Sequence, residues 1–444
     1  MTSITAREAP LARGLPPFRP RGWAGLVVRE VRAMPVALRA WLALLLVVLA
    51  AAAVAAVIAL PPGWDVLGTS PSVEWGLLIV AYVFFAITTS GLCLASSLGT
   101  VFGIERFRPL EKRHAILALL CLCTAFGIIA LDLHYPVRLV FGAVLSPSPS
   151  SPMWWMGVCY GAYLAILCVE VWSLFWPHER IHQAACTAAM CMAIAAPMTL
   201  GLVFGVLANR PLWYGPFTPA LMVSSAFLAG TSLLGIVFAL VARLRLSGAG
   251  RARSLAIPSI RLLLTIGLVV VSALVVRAVV AGVLGEARGE AAAIRAVVAG
   301  PLAWQFWAGR VLLGLVVPLA LVLLPATRTA RGLGLAAVLS LIGVFVDRLV
   351  LVDGGQIAPY TAVSGVVSGP YASYAPTAVE VLIVAGAVAL VAFLYTLAER
   401  YLDLSESDIH RGFFIPMLAG RLRDRLRRLT AQRTLGDATP GGAE

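Results

Sequence analysis

Ten long apolar stretches, separated by short polar connections, make up most of this chain. Stretches of about 20 or more mostly apolar residues run near 41–60, 75–102, 114–134, 153–175, 183–207, 217–241, 261–284, 302–324, 332–352 and 376–398. At roughly 1.5 Å of rise per residue, a helix over any of them crosses a hydrocarbon core of about 30 Å. The connections differ in charge. With the N-terminus taken as inside, connections 1–40, 103–114, 176–183, 242–261, 325–332 and 399–444 hold 27 Lys and Arg, and the alternate set holds 4. Arg277, Arg310 and Arg348 alone lie within spans. The positive-inside rule produces this asymmetry, and gaining or losing one span would scramble it. The expected fold class is all-α: a polytopic membrane protein of ten transmembrane helices, both termini cytoplasmic.

The pattern also suggests an internal organisation. Spans two to five (73–208) and six to nine (217–352) are expected as two four-helix bundles, with 41–60 and 376–402 as peripheral helices. Residues 1–40 form a basic arm, too long for an ordinary signal n-region, so 41–60 reads as a retained span. The tail, 403–444, is basic too, and its run from Leu418 to Leu429 alternates leucine with arginine as an interfacial amphipathic helix would. The loop 353–375, rich in Gly, Pro, Ser and Tyr, reads as a docking loop rather than a domain.

Composition narrows the function. Hydrophobic residues make up 60% and charged residues 12%, so the formal charge of +13 belongs to lipid-facing loops and not to a nucleic-acid binder. Lys112 is the only lysine beside 33 arginines, a bias that suggests a GC-rich bacterial genome and hence the bacterial cytoplasmic (inner) membrane. The seven cysteines, 93, 121, 123, 159, 168, 186 and 191, all fall in spans and read as packing residues. Cys121 and Cys123 point to nearly opposite helix faces, and an iron–sulfur cluster needs about four convergent thiolates. The histidines sit at helix ends rather than deep in facing helices, which disfavours a transmembrane haem. His178 and His182 share a face at i, i+4, but without a third ligand nearby they read as a solvated interfacial pair. The expectation is a chain with no haem, cluster or metal of its own.

Candidate chemistry lies in the few ionisable groups within or at the ends of spans: Asp132, Glu170, Arg277, Arg310, Asp347, Arg348 and Glu380. Charge in lipid is costly, so such groups usually face an interior and a function. Pro136 disfavours a helical Tyr135, which leaves Asp132 about one turn below the outer surface, with His134 and Arg138 above. Tyr82 lies roughly 12 Å deep on the same side, and Ser151-Pro152-Met153-Trp154-Trp155 starts the fourth span there. An Asp132–Arg138 ion pair with an interfacial tryptophan belt is the structural reading. The chemical reading is quinol oxidation, which needs an apolar cleft, a hydrogen-bonding group at each oxygen and a base that sends protons outward. Glu170, Arg310, Asp347 and Arg348 are candidates for ion pairs or a proton path. Asp347 and Arg348 are about 100° apart and need not pair.

Several short motifs occur in a recognisable order: Trp75-Gly76-Leu77, Tyr82-Val83-Phe84-Phe85, Gly103-Ile104-Glu105-Arg106-Phe107 and Ala130-Leu131-Asp132-Leu133 with Pro136 and Arg138. Ser151-Pro152-Met153-Trp154-Trp155 and Asn209-Arg210-Pro211-Leu212-Trp213 follow, then looser matches at Trp304 to Arg310 and Phe345-Val346-Asp347-Arg348. With these, the chain resembles the polysulfide reductase membrane-subunit family (NrfD/PsrC), in the ten-span branch of hydrogenase, sulfur-metabolism and alternative complex III subunits. The strong part covers 75–215. The resemblance implies a quinol-reactive subunit of a bacterial respiratory complex that binds menaquinone or ubiquinone. It also implies a ferredoxin-like iron–sulfur partner on the periplasmic side and a catalytic subunit of molybdopterin, hydrogenase or multihaem type. Carried onto this sequence, Tyr82, Asp132, His134, Arg138, Trp154 and Trp155 are the expected quinone-site residues, with Asp132 and His134 handling protons. Two departures stand out. Tyr82 occupies the place of a family histidine, and a family tyrosine aligns near Pro197–Met198. A secondary transporter and a passive anchor are the alternatives. A transporter is expected to show paired midplane Gly/Pro breaks, and Pro197 and Pro318 are not in matching positions.

Overall fold

The computed structural model describes residues 30–60, 66–133, 146–175, 178–244, 250–284, 288–357, 371–402 and 404. His134, Arg138, most of the basic arm and nearly all of the tail lie outside these residues. Ten described helices are long and apolar enough to span a membrane, and no strand occurs among the described residues beyond one isolated bridge, Ser70–Val73.

The helices are α1 (Val36–Ala59), α2 (Leu77–Thr100), α3 (Glu111–Asp132, led in by a 3-10 turn Glu105–Leu110), α4 (Pro152–Ser173) and α5 (Glu179–Gly205). Then come α6 (Phe217–Leu244), α7 (Gly250–Leu284), a short α8 (Arg288–Val298), α9 (Gln305–Leu323), α10 (Ala330–Ile357) and α11 (Ala378–Tyr401). The arginine-poor end is where α2, α4 and α6 begin and α3, α5 and α10 finish. The arginine-rich end is the opposite one.

Packing radiates from α2, whose apolar window is 89% buried, against 22% for α1. α2 touches α3, α5 and α6, and α4 closes the group against α3 and α5. α6 in turn packs on α7 and α10, and α9 lies against α10 and α7. Small residues permit the tightest crossing: at Gly91 on α2 and Gly230 on α6, an added Cβ would collide with main-chain atoms of the facing helix. Without a hydrophobic drive between helices in lipid, such close backbone approach is what holds them. Buried hydroxyls on α2 find carbonyls, as in Thr88 Oγ1 donating to Phe84 O at 2.6 Å and Thr89 Oγ1 reaching Ala118 O on α3 at 3.3 Å. α1 and α11 pair at the periphery, and Arg113 on α3 meets Glu399 on α11 at 2.8 Å.

Three local features depart from the sequence reading. α10 continues through Asp353-Gly354-Gly355-Gln356 to Ile357, so the turn-like DGGQ stretch is a buried helical turn. The Trp213 ring lies where a Cβ on Gly355 would be, which explains a glycine inside a helix. His182 is buried, not solvated: its Nε2 lies 2.6 Å from Glu111 Oε1 and its Nδ1 2.8 Å from Ser173 Oγ. Finally, Gln305–Val316 of α9 winds as a π-helix, a rare form that carries Arg310.

Candidate functional site

A cavity of about 390 Å³ opens at the arginine-poor end of the α2–α5 group, in the usual range for small-molecule sites. α2 contributes Ile79, Tyr82 and Val83; α3 contributes Ile129 and Asp132; α4 contributes Met153, Trp154 and Gly157; α5 contributes Leu200, Val203 and Phe204. The lining is mostly apolar. Its few polar groups include the Tyr82 phenol, the Asp132 carboxyl and the serines 146, 148 and 151. Tyr82 is buried and Asp132 half-buried at the last residue of α3. Pro152 is the first residue of α4, where a missing N–H costs nothing, so the chain turns sharply and sets Trp154 on the wall. Gly157 leaves room, since a Cβ there would meet nothing within 4 Å.

Of the residues singled out in the sequence, Tyr82, Asp132 and Trp154 therefore share one cavity. Trp155 stands beside it, half in the open, packed edge-on to Trp154 at 4.9 Å and donating from Nε1 to Pro149 O at 2.8 Å. Glu170 is far down α4, against His114 at 3.0 Å. Arg310 belongs to the other helix group, where its Nε meets Asp347 Oδ1 at 2.5 Å. Asp347 also binds Arg348, its neighbour, so one carboxylate bridges two guanidiniums. Arg348 is fully buried and its other nitrogen reaches the Met222 sulfur at 2.7 Å. Arg310 and Arg277 border a second cavity of about 250 Å³.

One wall of the first cavity is formed by a residue not foreseen as part of the site. Trp75 lies nearly parallel to Trp213 with ring centroids 5.2 Å apart, and Phe204 meets it edge-on at 5.3 Å. Its main chain is bracketed by Gln356 of α10: Trp75 N donates to Oε1, and Nε2 donates to Trp75 O, both at 2.9 Å. Arg210 fixes that helix end by donating to Gly355 O and Gln356 O at 3.1 and 3.0 Å. A second brace comes from the segment before α11. Leu77 N donates to the Tyr374 hydroxyl at 2.6 Å, which itself donates to Glu380 Oε1 at 2.8 Å. Burial, and then the bond to Glu380 and its charge, push the Tyr374 phenol above its ordinary value, so it remains a donor. Glu380 also closes a capping box with Thr377 at the start of α11.

The chain is similar in sequence to oxidoreductase and reductase subunits from several organisms. It is 24% identical over 352 residues to the Hdr-like menaquinol oxidoreductase integral membrane subunit of Archaeoglobus fulgidus, covering 76% of this chain and 86% of that one. It is 21% identical over 386 residues to a selenate reductase subunit of Mesobacillus selenatarsenatis, covering 76% and 88%. A putative dimethyl sulfoxide reductase membrane subunit of Halobacterium salinarum is 26% identical over 414 residues, covering 83% and 92%. The model of the family described as polysulphide reductase, NrfD, matches residues 65–359, from the segment before Trp75 to just past Gln356. With well over half of its length inside that match, the chain belongs to the NrfD polysulphide reductase family.

Proposed function

We propose that this chain is the quinol-reactive membrane subunit of a respiratory oxidoreductase complex and that the cavity lined by Tyr82, Asp132 and Trp154 is its quinol site. The observation that carries the reading is that cavity: apolar enough for a ring and its isoprenoid tail, with a phenol and a carboxyl on its wall. The printed name of the Archaeoglobus relative favours menaquinol as the quinol class. A bound quinol would supply two electrons and two protons. The residues here handle the protons and the fit. Asp132 takes a proton from one hydroxyl as general base, at the end of the membrane where it can be passed outward. Tyr82 hydrogen-bonds the other oxygen. Trp75, Trp154 and Phe204 exclude water and hold the ring plane between aromatic faces. His134 and Arg138, just past Asp132 in the chain, are proposed to relay the proton and balance the carboxylate. Electrons are proposed to pass to a ferredoxin-like iron–sulfur subunit on the periplasmic side and from there to a catalytic partner. The names of two relatives, as subunits of selenate and dimethyl sulfoxide reductases, support such an assembly.

The test uses the assembled complex. Asp132→Asn keeps the shape and removes the base, so quinol-dependent turnover is expected to fall by about 10²-fold or more. Activity of the catalytic partner with an artificial electron dye, which bypasses this chain, should survive. Tyr82→Phe is expected to raise KM for quinol more than it lowers kcat. Normal quinol turnover in both variants would place the quinol site elsewhere or reduce the chain to an anchor.

A further inference from the structure

At the other end of the α2–α5 group, four potential metal ligands meet, one from each helix: Cys93 of α2, His114 of α3, Glu170 of α4 and Cys186 of α5. Donor atoms of Cys93, His114 and Glu170 all lie within 4.8 Å of one another, and all three residues are buried. His114 Nε2 is 3.0 Å from Glu170 Oε1, and Cys186 Sγ is 3.7 Å from the same oxygen. Ligands on a tetrahedral zinc ion stand roughly 3.3–3.8 Å apart, given bond lengths near 2.0 Å to N or O and 2.3 Å to S. The Cys186–Glu170 separation falls in that range, and the His114–Glu170 contact is a direct hydrogen bond just below it. Cys186 stands outside the trio that lies within 4.8 Å, so an ion would draw the four side chains together around it. Helical bundles commonly build metal sites in this way, with single side chains projected inward from facing helices.

The cluster also has unused capacity. The bond between His114 and Glu170 occupies one atom of each, and His114 Nδ1 and Glu170 Oε2 are left buried with no partner among the described residues. His114 is 2% exposed and Glu170 1%, so a carboxylate here needs a cation close by. The Cys186 thiol already donates to Glu170 Oε1, and a divalent ion would draw both thiols in as ligands. A divalent ion bound by one thiolate and the carboxylate is electrically neutral, with the imidazole and the second thiol completing four ligands. An outer layer supports the cluster. His182 Nε2 is 3.5 Å from Cys186 Sγ and is held by Glu111 at 2.6 Å, while Ser173 Oγ donates to Glu170 O at 2.7 Å. Glu111 and His182 lie between the site and the arginine-rich end, a polar way in for an ion.

We propose that Cys93, His114, Glu170 and Cys186 form a zinc site that clamps the four helices together. This site is independent of the quinol reading, because it lies at the opposite end of the group and needs no electron transfer. It also replaces the sequence-based role of Glu170 in a proton path with that of a ligand.

The full chain, purified in detergent from zinc-supplemented cells and washed with a mild chelator, should retain about one zinc per chain by elemental analysis. Exchange with Co²⁺ should give a thiolate-to-cobalt charge-transfer band. Cys93→Ser and Cys186→Ser are each expected to weaken zinc binding by about 10²-fold and to diminish that band. Cys123→Ser and Cys191→Ser, at exposed positions on α3 and α5, should change neither. Zinc should raise the thermal midpoint of the native chain but not of Cys93→Ser, which separates loss of the ion from loss of the fold. A native chain that retains no zinc and shows no cobalt band would overturn the site and return Glu170 to proton transfer. Equal loss in the Cys123→Ser control would overturn it too.

Discussion

Gly157 is the residue whose substitution tests the quinol cavity most directly without touching its polar groups. Its missing side chain faces open space on the cavity wall. Gly157→Ala should therefore be tolerated and should stabilise α4 by about 0.5–1 kcal/mol, the usual gain of alanine over glycine within a helix. Gly157→Phe places a ring where the quinol ring is proposed to sit. Quinol turnover is expected to fall by about 10²-fold with the complex still assembled, as judged by retained dye activity. Turnover within a factor of about two of the native value would move the site elsewhere. The residues legible in the sequence were those with a chemical oddity at a definite depth: a lone acid before a proline, a tyrosine two turns into a span, a Ser-Pro-x-Trp-Trp start. Trp75 was legible only as a motif and Gln356 not at all, because its DGGQ context reads as a turn until Trp213 is seen packed on Gly355. The Cys93–His114–Glu170–Cys186 group was also invisible. Metal spacing rules describe ligands close together in sequence, and these are brought together only by the packing of four helices.

At the scale of elements, α9 and α10 join through a buried cluster of three charged side chains. Asp347 bridges Arg310 and Arg348, and close backbone approach at Gly314 and Gly343 holds the two helices together, with a Cβ on Gly314 only 2.6 Å from Gly343 Cα. Asp347→Asn removes the one anion between two buried cations and is expected to destabilise the chain by about 3–5 kcal/mol. The triple replacement Arg310→Met, Asp347→Leu and Arg348→Met leaves no buried charge in the cluster, so assembly should be largely restored. Quinol turnover then separates the two roles the sequence left open. A restored complex with normal turnover makes the cluster structural, and one with lost turnover makes it a proton path. Helix limits were legible within about five residues because long apolar runs leave little choice, except that α7 begins at Gly250 rather than near 261, since its first turns are basic. The π-helical winding of α9 was not, since nothing in the run from Gln305 to Val316 breaks its apolar pattern.

For the whole molecule, the count of ten spans was fixed by charge as much as by hydropathy, because alternating connections carry 27 and 4 cations. That asymmetry predicts orientation, which packing alone leaves undetermined. Reporter fusions after residues 142 and 290 should read periplasmic, and those after 250 and 430 cytoplasmic. A cytoplasmic signal at 142 or 290 would overturn the ten-span topology and every site placed from it, the proposed quinol cavity included.

The bracket of Gln356 on Trp75 has a consequence in time. A side chain on a cavity rim changes rotamer in picoseconds to nanoseconds, whereas a shift of helix ends takes microseconds or longer. Trp75 is gripped through its own amide and carbonyl by the last turn of α10, and its ring packs in a mutual cluster with Trp213 and Phe204. The main chain of this cavity wall is therefore tied to the last turn of α10. Trp155, held by one indole bond at the rim, keeps the faster clock. In the proposed quinol site, the Trp75 wall would hold the plane of the ring over times in which Trp155 changes rotamer many times.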